Sequence, residues 1–99
     1  MNSQKATLPT LRTKLDVIDG QLIALLAERF ELTRQVGEYK AKHNLPAIDL
    51  EREAKQFKRA RMLALSSGLD QDFSQAFLRL VIDEVVRSHE AMQREVKNG

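Results

Sequence analysis

Apolar residues recur at alternating spacings of four and three from Leu11 through Leu15, Ile18, Leu22 and Leu25, and again at Leu32, Val36 and Tyr39. That is the stripe of one long amphipathic helix, and it constrains the fold more than any other feature. Pro9 suits a first helical turn and Pro46 marks the far limit, so the spacing predicts a helix from about residue 8 to about residue 43. At 1.5 Å per residue such a helix is about 54 Å long. A compact globule of this chain length is only about 33 Å across. The helix outruns its own domain, and a seam of that length predicts a second copy of the chain in an intertwined homodimer.

Two shorter helices follow. Asp49 is placed to cap the second, with Glu51 and Glu53 in its dipole-favoured first turn, and Leu50, Ala54, Phe57, Met62 and Leu65 on its apolar side. Gly68 stands where that helix should end. Asp72 and Gln75 have capping-box spacing at the start of a third helix, whose buried side is expected to carry Phe73, Phe77, Leu80, Val81, Val85 and Met92. No stretch alternates with period two. The class is therefore all-α: three helices in a single domain over residues 1–99, with residues 1–7 as a flexible lead-in.

With 16 Lys and Arg against 14 Asp and Glu, the formal charge of +2 is too slight to imply a nucleic-acid or membrane partner. The chain has no cysteine, so a disulfide framework and a thiolate metal site are excluded. His43 reads as a helix-end histidine, and with His89 it lacks a third ligand at metal-binding spacing. The basic run from Lys55 to Arg61 reads as a solvated face, because base-stacking aromatics are not interleaved with it. The opening residues hold no apolar signal segment, and a cytoplasmic protein is expected.

One charge breaks the long stripe: Arg29 occupies the position that completes the apolar series. Lys40, 11 residues on, is turned by only about 20° and lies about 16 Å along the axis, so both cations overlook one surface. Arg12 is about 25 Å before Arg29 and is turned by about 100°, too far to share a small ligand on the same helix. In an antiparallel dimer the partner's Arg12 could approach Arg29. Across the connection, Asp49, Arg52 and Glu53 open the second helix, and Val85 and His89 lie four apart on one face of the third.

The order of these residues resembles the bacterial all-helical chorismate mutases. Their pattern is an early L-R, a central E-R, V-G-x-x-K and then P-x-x-D-x-x-R-E, matched here over about residues 8 to 95. The resemblance implies an intertwined dimer that rearranges chorismate to prephenate on the way to phenylalanine and tyrosine, without metal or cofactor. By position, Arg12 would enter the partner's site and join Arg29 in clamping the two substrate carboxylates. Lys40 would donate to the ether oxygen, Arg52 would support a carboxylate, and Asp49, through its main chain, and Glu53 would hold the ring hydroxyl. Lys40, His89 and Arg29 are the groups the resemblance places at the reacting atoms.

The third helix departs from the family pattern. Val85 stands where a serine is usual and cannot donate that serine's hydrogen bond, while His89 stands in place of a glutamine. It can donate to the ether oxygen as the appropriate neutral tautomer or as imidazolium. Two other readings stay open: an isochorismate pyruvate lyase with a similar cationic pocket, and a non-catalytic helical dimer that binds a partner. Family members also occur fused to prephenate dehydratase or dehydrogenase, so this chain is expected to be either a standalone mutase or a domain of such a fusion.

Overall fold

A computed structural model describes residues 6–98 of the chain. Residues 1–5 of the expected lead-in lie outside the described residues; Ala6 and Thr7 are exposed and non-helical. Three helices account for most of the rest: α1 (Leu8–Lys42), α2 (Leu50–Ser67) and α3 (Gln71–Asn98), with no strand among the described residues. None of these helices is long and apolar enough to cross a membrane. The chain divides into two units, Met1–Leu32 and Thr33–Gly99, each taken by itself below.

The first unit is the leading part of α1. Thr7 and Thr10 start it reciprocally: the Thr7 backbone N–H donates to Thr10 Oγ1 at 3.0 Å, and the Thr10 N–H donates to Thr7 Oγ1 at 3.4 Å. This satisfies donors that a helix start leaves free. The stripe read from the sequence is present but uncovered, with Leu11, Leu15, Ile18 and Leu22 each between 43 and 56 % exposed.

In the second unit α2 packs on α3. The core is small: Phe57 and Ala64 from α2, Val81, Ile82 and His89 from α3, Gly37 from α1, and Ala47 from the connection. Phe57 and Val81 are buried as expected, and Val85 and Met92 half-buried, but Leu50, Ala54, Met62, Leu65, Phe73, Phe77 and Leu80 are exposed. Ala64 and Ile82, which the periodicity did not single out, stand in the core instead.

Both interior helix ends close in Schellman geometry. Asn44 takes the left-handed conformation (φ 59°) after α1, where the Leu45 N–H donates to Lys40 O at 2.8 Å. Gly68 (φ 73°) does the same after α2, where the Leu69 N–H donates to Ala64 O at 2.9 Å. Asp49 caps α2 as expected. The cap of α3 is a correction: Asp70, not Asp72, accepts the Phe73 N–H, at 2.7 Å. Asp72 and Gln75 are instead taken up by Arg61 Nη1, at 2.9 and 3.0 Å, a tie between α2 and α3 that displaces the capping box.

Gly37 lies against α3. A Cβ there would lie 2.5 Å from His89 Cδ2 and 2.8 Å from Met92 Sδ. Gly37→Ala is accordingly expected to lower stability by about 1–3 kcal/mol, read as a lower urea midpoint; an unchanged midpoint would contradict this packing. Asp70→Ala should cost about 1 kcal/mol by loss of the cap, and Asp72→Ala less, since its ion pair is exposed.

Candidate active site

The residues singled out in the sequence lie in both units. In the first, Arg12 is exposed on α1. Arg29 is half-buried, and its Nη1 is buried with no hydrogen-bond partner among the described residues. A buried, unpaired guanidinium N–H forfeits more than the 1–3 kcal/mol typical of a neutral group, so such a donor calls for an acceptor. A carboxylate suits the planar fork best.

In the second unit, the end of α1 and the start of α2 carry four of the candidates. Lys40 is half-buried, and its Nζ donates to Ala47 O at 3.3 Å. That contact fixes the ammonium against the connection and leaves two of its three protons for other acceptors. Asp49 accepts the Arg52 N–H on its Oδ1 at 3.0 Å and the Glu53 N–H on its main-chain oxygen at 3.0 Å, so both groups serve the start of α2. Arg52 is exposed. Glu53 turns inward, its side chain 12 % exposed, and its Oε1 lies 3.4 Å from Arg79 Nη1.

On α3, Val85 is half-buried one turn before His89, which is 2 % exposed. His89 Nε2 lies 2.7 Å from the Thr33 carbonyl oxygen. A carbonyl only accepts, so Nε2 carries a proton and donates. This narrows the sequence reading: in the neutral ring the other nitrogen, Nδ1, has no proton to give, and only the imidazolium donates from it. Nδ1 is itself buried and has no partner among the described residues. Outside the site, His43 behaves as a helix-end residue, its ring stacked on Tyr39 at 4.0 Å and its Nδ1 3.0 Å from Tyr39 O.

Sequence reasoning missed Arg79. It comes 26 residues after Glu53, and its guanidinium also lies 4.4 Å from the centre of the Phe57 ring. An aromatic one turn after Glu53, on the same face of α2, was the available signal.

With cations and carboxylates set around the connection, comparison with known proteins becomes informative. The family model for chorismate mutase type II matches residues 11–90. The chain belongs to this family. It is 39 % identical over 79 residues to the T-protein of Enterobacter agglomerans, an alignment covering 80 % of this chain and 21 % of that protein. It is 30 % identical over 94 residues to the 4-amino-4-deoxychorismate mutase of Streptomyces venezuelae, covering 94 % and 91 %. It is also 30 % identical over 88 residues to the chorismate mutase of Methanocaldococcus jannaschii, covering 89 % and 85 %. The chain thus spans about a fifth of the T-protein and most of the two shorter family members.

The geometry at His89 generates a substitution test. His89→Gln keeps a hydrogen-bond donor at this position and should retain chorismate turnover if donation is the whole role of the residue. Loss of all activity in that variant would show otherwise.

Proposed function

We propose that the chain is a chorismate mutase, catalysing the rearrangement of chorismate to prephenate as a homodimer with two composite sites. The observation that carries the reading is the buried Nη1 of Arg29 within an apolar helix stripe, without a partner among the described residues. Family membership supports it, as does the arrangement of Lys40, Asp49 and Glu53 around the connection.

The reaction is intramolecular: one C–O bond breaks, one C–C bond forms, and no atom enters or leaves. It requires a flexible dianion folded into its reactive conformer, and positive charge where the breaking bond leaves electron density on the ether oxygen. Arg29 and Arg12 of the partner subunit take the two carboxylates, and Arg52 supports one of them. Lys40, steadied by Ala47 O, donates to the ether oxygen, and His89 as imidazolium can add a second donor. The Asp49 main chain and Glu53 receive the ring hydroxyl. Val85 offers only packing. A million-fold acceleration needs about 8 kcal/mol, within reach of conformer selection and two preorganised donors.

The assembly is supported by the uncovered apolar stripe of the first unit. Leu11, Leu15, Ile18 and Leu22 form the stripe that a second copy would cover.

Chorismate consumption with prephenate identified as product tests the activity. Arg29→Ala should lose about three orders of magnitude in kcat/KM. Absence of prephenate with the wild type would overturn the reading, and release of pyruvate from isochorismate would favour the lyase. Light scattering should give twice the chain mass; a folded monomer at micromolar concentration would contradict the dimer.

A further inference from the structure

Arg79 is a cation that the proposed chemistry leaves unused, yet it lies against a group that chemistry needs. Its Nη1 stands 3.4 Å from Glu53 Oε1 and 3.8 Å from Asp83 Oδ1. Its guanidinium carbon lies 4.4 Å from the centre of the Phe57 ring. Phe57 is buried one turn beyond Glu53 on α2, so the stacking partner is part of the core and the guanidinium edge is aimed at the carboxylate. Arg79 itself is half exposed, but Glu53 is largely covered, and a charge beside it is screened less than one on an open surface.

We propose that Arg79 sets specificity for the ring substituent, making the Glu53 end of the site prefer a hydroxyl to an ammonium. The proposal rests on the reading of Glu53 as acceptor for that substituent. A carboxylate accepts from either group, and alone it would favour the cation. With a guanidinium already on Oε1, Oε2 remains as acceptor, but an incoming ammonium meets a like charge a few ångströms away, whereas a hydroxyl does not. Asp83 sharpens the contrast. It shares the same Nη1, so its oxygen and that of Glu53 are at most about 7 Å apart. Remove Arg79, and two carboxylates face each other without a cation, a place a ligand ammonium can take.

The probes are chorismate, with a hydroxyl on C4 of its ring, and 4-amino-4-deoxychorismate, with an amine there that is protonated at neutral pH. The full chain is assayed with each, and the quantity read is the ratio of the two kcat/KM values, which does not depend on the folded fraction. The wild type should favour chorismate. Arg79→Gln should move the ratio toward the amine by about ten-fold, and Arg79→Lys, which keeps the charge, should stay near the wild-type ratio. A ratio unchanged in Arg79→Gln while chorismate is still converted overturns the role of Arg79 and leaves the proposed function standing. A wild type that prefers the amine also overturns it. Turnover of neither substrate by the wild type overturns the proposed function and this inference together.

Discussion

A guanidinium N–H buried on a helix otherwise built to pack, with no acceptor among the described residues, is the constraint on which the proposed site depends. Burying charge without a partner is costly, and a chain of 99 residues has little stability to set against it. Arg29 is tolerable if a ligand supplies the missing acceptor. The same logic explains the economy of the connection that follows α1. Lys40 is steadied by a main-chain carbonyl, Asp49 Oδ1 is engaged by a cap and Glu53 Oε1 lies against Arg79, so the connection presents hydrogen-bonding groups held in place. Such a set suits a reaction that needs orientation and charge.

The helices were legible because their signals are local. Periodicity, Pro9, Asp49 and Gly68 each act within a turn or two, and α1 and α2 begin and end within a residue or so of the positions they imply. The miss at α3 is instructive for the same reason. Asp72 and Gln75 have the right spacing for a capping box, but Arg61, on another helix, engages both, and Asp70 takes the cap. Spacing reports what side chains can do locally. It does not report a competitor brought in by tertiary packing. The exposure of Leu50, Met62, Leu65, Phe73 and Leu80 carries a related lesson: a period identifies an apolar face, and whether that face is covered depends on what else is present.

For the proposed site, residue order drew attention to Arg29, Lys40, Asp49 and Glu53, because the motif is strung along one helix, the connection after it and the start of the next. Two features needed three dimensions. The neutral tautomer of His89 is fixed by the Thr33 carbonyl, and no sequence pattern links those residues. Arg79 joins Glu53 and Phe57 across the α2–α3 contact, where a half-exposed arginine on a helix looks like any other solvent-facing charge.

The central claim is that one catalytic site takes Arg29 from one chain and Arg12 from another, and mixing two inactive variants tests it directly. Arg12→Ala and Arg29→Ala chains, unfolded together in equal amounts and refolded, form heterodimers in which one site holds both arginines and the other holds neither. With random pairing, half of the dimers are mixed and each has one good site of two, so about a quarter of wild-type chorismate mutase activity should return. A mixture no more active than the two parents, with mixed dimers shown to have formed, would contradict a site shared between chains.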